Sequence, residues 1–245
     1  MNFQPTKLLY LEDTYCFEGE GKFLGWGEDQ KGKFLVFDQT IFYPQGGGQP
    51  SDTGTIKFSN FEIPVHFVGF NKGIVQHYYK ESFLVSSDLI GQAVGFQIDS
   101  HRRLQNAKTH TAGHLLGSIV EEITGLIPAK GYHFQDGPHV QFEGQLDEAN
   151  EVNTLLAQVN TYLLTCIKER TQVETQYVEP LALSELRLPQ NFQLPQDKPS
   201  RISKVEGFSP VPCGGTHIRN LSEYAEIKAH KISGRKDPKI SYKVF

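Results

Sequence analysis

Two short motifs, about a hundred residues apart, constrain the fold of this chain most strongly. His110 and His114 lie four positions apart in KTHTAGHLLGS, and Cys213 and His217 lie four positions apart in PCGGTH. On a helix, residues four apart project from one face, and imidazole and thiolate groups at such a spacing can meet one ion. If both pairs serve the same site, the fold has to bring the two ends of this segment together.

The two motifs together are a stronger signal than either one alone. With 9 histidines and 3 cysteines in 245 residues, chance gives about 0.3 HxxxH pairs and about 0.1 CxxxH pairs, and both together about 0.03 times. One thiolate and three imidazoles suit Zn²⁺ better than Mg²⁺ or Ca²⁺, which prefer oxygen ligands. We therefore predict zinc bound by His110, His114, Cys213 and His217. The alternative is that the histidines are core residues of a helix.

The number of bound ligands decides what such a site can do. Four protein ligands make a closed structural site, whereas three leave a position open for water or substrate. The spacing of the motifs leaves both arrangements possible.

The glycine content and the hydrophobic pattern of the chain change near residue 95. Of its 23 glycines, 13 precede residue 96, where runs such as TGTIKF and FEIPVHFVGF are bounded by Gly, Asn and Asp; this is typical of an antiparallel sheet or small barrel. From Ser100, apolar residues recur every three or four positions until Gly125 and Pro128, which predicts a helix. We therefore predict an α+β protein. Residues 1–95 form a small antiparallel β-barrel-like domain, and residues 96–245 form a zinc-binding α+β domain with an antiparallel sheet and helices.

Further elements are predicted in the second half of the chain. A helix follows Asp147, a plausible N-cap, and a helix-plus-loop crossing spans Pro180 to Pro199. TQVETQYVE and RISKVEGF are predicted strands, and EIKAHKISGRKDPKISYKVF is predicted to form a last hairpin.

Composition excludes several classes of protein. Hydrophobic residues make up 38% and charged residues 21%, which excludes collagen, coiled coils and wholesale disorder. No apolar run approaches the ~18 residues of a membrane span, and the first residues lack the blocks of a secretory signal. We therefore expect a cytoplasmic protein without a membrane partner. The net charge of −4 neither requires nor excludes RNA.

A glycine-rich loop is a second candidate site. In DQTIFYPQGGGQPSDTG, Gly46, Gly47 and Gly48 are flanked by Gln45 and Gln49. A loop without side chains lets backbone N–H groups approach a phosphate or carboxylate, and the alternative is a simple hairpin turn. It is not a P-loop, because the Lys-Ser/Thr pair is absent, so no nucleotide cofactor is implied.

Five segments occur in the order seen in the AlaX family of free-standing alanyl-tRNA editing proteins: FYPQGGGQPSDTG, HTAGHLLG, KGYHF, PCGGTH and KISY. The same order marks the editing domain of alanyl-tRNA synthetases. From about Val36 to its end the chain resembles this family, and its glycine-rich N-terminal domain resembles that of the longer AlaX form. We expect no ligase activity, because no aminoacylation domain fits ahead of residue 1.

The resemblance implies trans-editing, in which the ester between a wrong amino acid and the 3′ end of alanine tRNA is hydrolysed. Serine is the implied amino acid, and glycine is left open. The implied zinc ligands are the four residues of the two motifs. The implied substrate-binding residues are Gln45, Gly46, Gly47, Gly48 and Gln49, with Lys130 and Gly131 of KGYHF.

The chain departs from the synthetase pattern at three positions. Synthetase editing domains usually have Thr where this chain has Gly113, Gln where it has Ala129, and Asp where it has Glu143. These departures leave the discrimination of serine unassigned.

An activated ester needs positioning, a water molecule and stabilisation of the oxyanion, so we expect metal-assisted hydrolysis without a covalent intermediate. His133 and Glu143 are the candidate proton relays, and Thr111 and Thr216 are candidates to bind the hydroxyl of serine. The alternatives are a packed or surface histidine and threonines that bond the backbone.

Basic residues gather in two places that suit a tRNA partner. Arg102, Arg103 and Lys108 begin the first helix; the tail holds Lys228, Lys231, Arg235, Lys236, Lys239 and Lys243. An ordinary solvated hairpin is the alternative for the tail.

The two motifs are compatible with two other functions. A zinc peptidase is disfavoured because no Glu follows the first motif histidine, whereas a non-catalytic, zinc-stabilised tRNA-binding module stays open. The sequence does not indicate an oligomeric state.

Overall fold

The structure is a computed structural model that describes residues 3–80, 83, 85–147, 151–180, 197 and 199–245. The chain divides into two compact units, Met1–Gln105 and Asn106–Phe245. The composition shift predicted a boundary near residue 95, but the last strand of the first unit continues to Ile98. The glycine-rich part of the sequence therefore ends before the last strand of the first unit does.

The first unit is built on a closed antiparallel barrel. Its six strands are β2 (Glu18–Asp29), β3 (Gly32–Phe37), β5 (Gly54–Lys57), β6 (Glu62–Asn71), β7 (Ile74–Tyr79) and β8 (Ala93–Ile98). They close in the order β2-β3-β7-β6-β5-β8. Two short segments, β1 (Lys7–Leu8) and β4 (Gln39–Thr40), form a parallel pair. A barrel that closes on itself leaves no unpaired strand edge among these six strands.

The interior of the barrel is mostly aromatic and aliphatic, and the first unit also buries an ion pair outside the barrel strands. Phe23, Phe37 and Phe96 are buried there. Arg103 is fully buried; its Nε donates to Asp52 at 3.0 Å and its Nη1 donates to the Thr14 carbonyl at 2.9 Å. The expectation that Arg103 contacts tRNA phosphates is therefore wrong, because its guanidinium is buried and bonded to groups of the first unit.

The second unit combines two antiparallel sheets with one complete helix and most of another. One sheet has four strands, β9 (Ile127–Tyr132), β10 (His139–Glu143), β14 (Ile227–Ser233) and β15 (Lys239–Val244), in the order β14-β15-β10-β9. The other has three, β11 (Val173–Val178), β12 (Ser200–Val205) and β13 (Val211–Pro212). Helix α1 spans Ser100–Thr124 and α2 spans Val152–Lys168. The predicted tail hairpin is present as β14 and β15.

The helix ends show where sequence signals succeeded and where they failed. Gly125 ends α1 in a left-handed conformation (φ 74°) and donates its N–H to the Glu121 carbonyl, as glycine often does at a helix C-terminus. Pro128 plays no part in ending α1, since it lies in β9. Asp147 as the N-cap of α2 is also wrong, because Glu151 holds that position without a side-chain capping bond.

The predicted fold class is confirmed: an antiparallel barrel followed by an α+β unit. The predicted crossing between Pro180 and Pro199 falls largely outside the described residues. In the described part of the chain, neither helix combines the length and the apolar character needed to cross a membrane.

Candidate metal centre

The two motifs meet in the second unit. His110 and His114 come from α1, and Cys213 and His217 come from the loop after β13. One ligand atom from each of these four residues, hereafter the metal quartet, lies within 4.8 Å of the other three. Cys213 Sγ is 3.5 Å from His110 Nε2 and 3.3 Å from His217 Nε2. The ring centroid of His114 is 4.9 Å from that of His110 and 4.6 Å from that of His217.

This geometry fits a tetrahedral metal site. Zinc bonds of ~2.0–2.1 Å to nitrogen and ~2.3 Å to sulfur place ligand atoms of a tetrahedron about 3.3–3.8 Å apart, and the two S···N distances lie in that range. Nitrogen and sulfur donors without a carboxylate are the set that favours Zn²⁺ over oxygen-seeking cations. The quartet is a group of side chains that could hold a metal ion.

The imidazoles of the quartet are held in their neutral form. Loss of water on burial lowers the pKa of His110 and of His217 well below the ordinary value, and it lowers the pKa of His114 to about 4. The guanidinium of Arg201 adds to this effect at all three rings. Neutral imidazoles keep a lone pair on one ring nitrogen, which is what a metal ion requires.

Arg201, on β12, holds the cysteine loop in place. Its Nη1 donates to the carbonyl oxygens of Cys213 at 2.8 Å and of Gly215 at 2.9 Å, and the Cys213 N–H bonds back to the Arg201 carbonyl at 3.0 Å. The Gly215 N–H donates to Cys213 Sγ at 3.3 Å. Arg201 was not predicted as part of the site, because a buried arginine ahead of PCGGTH carries no local signal.

Thr111 orients a ligand of the quartet. Its Oγ1 lies 3.0 Å from His217 Nδ1 and accepts the Ile218 N–H at 3.3 Å. His217 Nε2 lies 3.3 Å from the Cys213 thiol, so the bond between Thr111 and the other ring nitrogen fixes the orientation of this ligand. The contact of Thr111 with the hydroxyl of serine stays a prediction.

His133 packs directly against the quartet. Its ring lies nearly parallel to that of His110, with centroids 4.5 Å apart, and its Nδ1 is 2.8 Å from the Tyr242 hydroxyl. Because Tyr242 donates its only proton to the Thr109 carbonyl, His133 Nδ1 carries the hydrogen and Nε2 keeps a lone pair. Loss of water on burial lowers the pKa of His133 to about 3. Tyr242, from the KISY segment, was not assigned a role from the sequence.

Two glycines make room for the His133 ring. A Cβ atom at Gly113 would lie 2.2 Å from His133 Cε1, and one at Gly131 would lie 2.1 Å from His133 Nε2. The departure from the synthetase pattern at Gly113 thus has a physical reason, because the space of a side chain there is filled by the imidazole. The same imidazole fills the space that a side chain at Gly131 would occupy.

The glycines of PCGGTH are not required by a left-handed backbone conformation. Neither Gly214 nor Gly215 is among the residues of positive φ. Gly214 is exposed, and a Cβ atom there would meet nothing within 4 Å among the described residues. The approach beside Cys213 is therefore unobstructed on this side. Thr216, the next candidate along, is fully buried.

The structure does not bring two of the predicted residues to the quartet. Glu143 and Lys130 lie on the face of the four-stranded sheet opposite to Val140 and Phe142, which pack into the core with α1. Lys130 is exposed, and Glu143 is half-buried. A proton relay at Glu143 has no support from this position.

The glycine-rich loop belongs to the first unit and forms a tight turn. Gly46 and Gln49 exchange two backbone hydrogen bonds, of 3.2 and 2.9 Å. Gly47 and Gly48 have φ of 54° and 77°, the pattern of a type I′ turn. Gln45 is exposed and Gln49 is buried. The hairpin alternative is thus realised in the backbone, and this does not exclude a ligand at the exposed tip.

Comparison with known proteins gives a consistent set of relatives. A family model described as "tRNA synthetases class II (A)" matches residues 13–102. The alanine–tRNA ligase of Korarchaeum cryptofilum is 31% identical over 92% of this chain, which spans 24% of that protein. The chain thus spans about a quarter of the length of the ligases it matches.

Two shorter relatives carry the name of editing proteins. Alanyl-tRNA editing protein AlaX-M of Methanosarcina barkeri is 29% identical over 94% of each chain. AlaX-L of Pyrococcus horikoshii is 28% identical over 90% of this chain and 53% of its own length. These matches confirm the resemblance drawn from the five sequence segments.

Proposed function

This chain is an AlaX-type protein, similar along almost its whole length to proteins of that name, and on that premise we propose that it is a zinc-dependent hydrolase that edits mischarged alanine tRNA. The bond cleaved is the ester that joins serine or glycine to the terminal ribose. The observation that carries the proposal is the convergence of the two motifs, whose ligand atoms lie within 4.8 Å of one another. We assign the protein to the cytoplasm, where aminoacyl-tRNAs are used.

The metal quartet is the proposed centre of the reaction. His110, His114, Cys213 and His217 would hold one zinc ion, which supplies Lewis acidity for the ester carbonyl. The ester is already activated, so the protein has to position it and orient a water molecule. A nucleophilic side chain is not needed, and Cys213 is committed to the metal.

We assign His133 to orient the attacking water. Its Nδ1–H is committed to Tyr242, so Nε2 is a hydrogen-bond acceptor, and its lowered pKa keeps the ring neutral at pH 7. The water oxygen forms the new bond to the carbonyl carbon, the ester C–O bond breaks, and a proton of the water ends on the ribose oxygen. The stacking of His133 on His110 supports this assignment.

Substrate binding is assigned to the turn at Gly46–Gln49. In the residues that the structure describes, no hydrogen bond engages the amides of Gly47 and Gly48. Two successive N–H groups in such a turn suit an oxygen that carries negative charge. The exposed Gln45 adds a donor and an acceptor beside them.

Ester loss from seryl-, glycyl- and alanyl-tRNA specific for alanine tests the proposal directly. We expect the seryl or glycyl ester to decay and the alanyl ester to be spared. His110→Ala should lose its metal and slow the reaction at least ~10³-fold, whereas His66→Ala, on the exposed surface of the barrel, should react like the wild type. A His110→Ala protein without metal that keeps the wild-type rate would remove zinc from the mechanism.

A non-catalytic, zinc-stabilised tRNA-binding module is the second candidate. The observation in its favour is that four protein ligands complete a tetrahedron, as in structural zinc sites. Such a module would bind the three aminoacyl-tRNAs and release none of the amino acids. The same assay therefore separates the two functions.

A further inference from the structure

The four-stranded sheet of the second unit has one covered face and one open face. Alternate residues of a strand point to opposite faces; on β15, Ile240 and Tyr242 are buried, whereas Lys239 and Lys243 are exposed. The cross-strand pairs extend this alternation over the sheet. The open face includes Lys130, Tyr132, His139, Gln141, Glu143, Lys228, Lys231, Ser233, Lys239, Ser241 and Lys243.

The charged residues on the open face are mostly positive. Its charged strand residues are one glutamate, Glu143, and five lysines, Lys130, Lys228, Lys231, Lys239 and Lys243. Within the part of the chain that the structure describes, none of these ammonium groups lies in an ion pair. The chain as a whole carries a net charge of −4, so the positive charge is gathered locally. Lysines on an open face are placed to meet phosphate groups.

Aromatic rings line one side of the open face. Tyr132 stacks on Phe134 with centroids 4.7 Å apart and planes 16° apart, and on His139 with centroids 5.2 Å apart and planes 24° apart. All three side chains, hereafter the aromatic row, are partly exposed. Parallel rings at a surface are a platform on which unpaired bases stack whatever their sequence.

The aromatic row borders the metal quartet. His133 lies between Tyr132 and Phe134 in the chain but is buried, with its ring on that of His110. Tyr132 ends β9, the edge strand of the sheet. A single strand of nucleic acid that reaches the quartet around this edge therefore passes the row.

We propose that the open face is the docking surface for the acceptor end of a tRNA. The lysines hold the phosphates of the acceptor stem, and the aromatic row stacks the unpaired bases that precede the terminal adenosine. This inference rests on the proposed function, since it takes the ester-bearing end of the tRNA to be at the quartet. The combination of lysines with stacked rings favours RNA over an acidic protein or a lipid surface, which would make no use of parallel rings.

Charge reversal tests the lysines. Lys239→Glu/Lys243→Glu changes two exposed residues of the open face, and Lys168→Glu/Lys204→Glu makes the same charge change at two exposed residues elsewhere in the second unit. Binding of uncharged tRNA is measured by fluorescence anisotropy over a salt series. The first variant should bind at least ~10-fold more weakly at low salt, and its plot of log K against log salt should be less steep by about 1.5–2. The control variant should bind within about twofold of the wild type.

Trimming of the tRNA tests the aromatic row. Removal of the last three nucleotides should weaken binding to the wild type about 5- to 100-fold, as expected for lost stacking. Phe134→Ala should lose most of this preference for the full-length tRNA, and Tyr132→Phe, which keeps the ring, should retain it. A cobalt(II) spectrum like that of the wild type shows that each variant keeps its fold at the quartet.

The outcomes are distinct. Equal tRNA binding by the two lysine variants would overturn the inference, and so would a Phe134→Ala variant that keeps the full wild-type preference for the full-length tRNA. Lysine-dependent binding to phosphatidylserine vesicles, with tRNA binding unchanged, would assign the face to a membrane and overturn it as well. A wild type that binds tRNA through this face but hydrolyses no ester would overturn the proposed function alone.

Discussion

The barrel and the second unit both bury polar side chains, but they hold them in different ways. In the barrel, His77 is fully buried, with Nδ1 3.2 Å from the Leu35 carbonyl and Nε2 2.8 Å from Thr40 Oγ1, and elsewhere in the first unit Arg103 is matched by Asp52. Each donor there meets an acceptor. In the metal quartet, lone pairs of several rings converge on one thiol. A cluster of that kind gains most from a cation at its centre, so the direction of the lone pairs separates a structural polar core from a metal site.

Loss of a quartet ligand should have the largest effect of the changes considered. Cys213→Ser removes the thiolate, and we expect zinc or cobalt(II) affinity to fall about 10³-fold. The measurement is competition with a chromophoric chelator, with the cobalt(II)–thiolate absorption as a second signal. Cys166→Ser is the matched control, since Cys166 is buried in α2 outside the quartet. If both variants bind metal equally, the contrast with the barrel fails.

Acid should act on the barrel through His77. Burial lowers the pKa of His77 from 6.5 to about 4. The unfolded chain therefore takes up a proton below pH 6.5 that the folded barrel accepts only near pH 4. The free energy of unfolding should fall between these two values, by about 3 kcal/mol for the 2.5-unit difference. Above pH 6.5, where the ring is neutral in both states, titration of His77 should make no contribution to the pH dependence.

Trp26 makes this measurable, because it is the only tryptophan and lies in β2. Urea unfolding followed by its fluorescence at pH 7 and pH 4 should show a smaller loss in His77→Gln than in the wild type. His66→Gln, at an exposed position of β6, should keep the wild-type loss. An identical pH profile in all three proteins would mean that His77 is not a proton-linked group.

A methyl group at Gly113 should have an intermediate effect. It would lie 2.2 Å from His133 Cε1, and overpacking of this kind costs about 1–3 kcal/mol. We expect Gly113→Ala to lower the free energy of unfolding by about 2 kcal/mol, measured by chemical denaturation followed by circular dichroism. Removal of the ring in Gly113→Ala/His133→Ala should restore part of this loss relative to His133→Ala alone. An additive double variant would show that the ring is not the obstacle.

The spacing of the motifs allowed the metal quartet to be predicted from the sequence. The residues that pack against it and hold it in place could not be predicted in this way. Four-residue intervals are a local property of the chain, and so is the glycine-rich texture that indicated the barrel. The reason for Gly113 is an imidazole twenty positions away in the sequence, and the anchor of the cysteine loop is Arg201 on another strand. Contacts of this kind depend on tertiary packing, which no local pattern encodes.

The two glycine-rich segments show the same limit. GGG at 46–48 and GG at 214–215 look alike in the sequence. In the structure Gly47 and Gly48 adopt positive φ, and the glycines of PCGGTH do not. The sequence shows that these positions carry no side chain. It does not show whether glycine is required there by a positive φ or by a close neighbouring atom.

The smallest expected effect comes from substitutions in the turn at Gly46–Gln49, where Gly48 has positive φ and Gly46 does not. Gly48 has φ of 77°, whereas Gly46 lies outside the positive-φ residues and a Cβ atom there meets nothing within 4 Å among the described residues. Gly48→Ala should lower the free energy of unfolding by about 1 kcal/mol, and Gly46→Ala should change it by less than about 0.5 kcal/mol. Urea unfolding followed by Trp26 fluorescence measures both.

Equal destabilisation by the two substitutions would show that backbone conformation is not what the turn requires. If stability follows the expectation, Gly46→Ala becomes a probe of function, because it adds a methyl group at the exposed tip without strain. A fall in the rate of ester hydrolysis with unchanged stability would then assign the turn to the substrate, and an unchanged rate would leave it a structural hairpin.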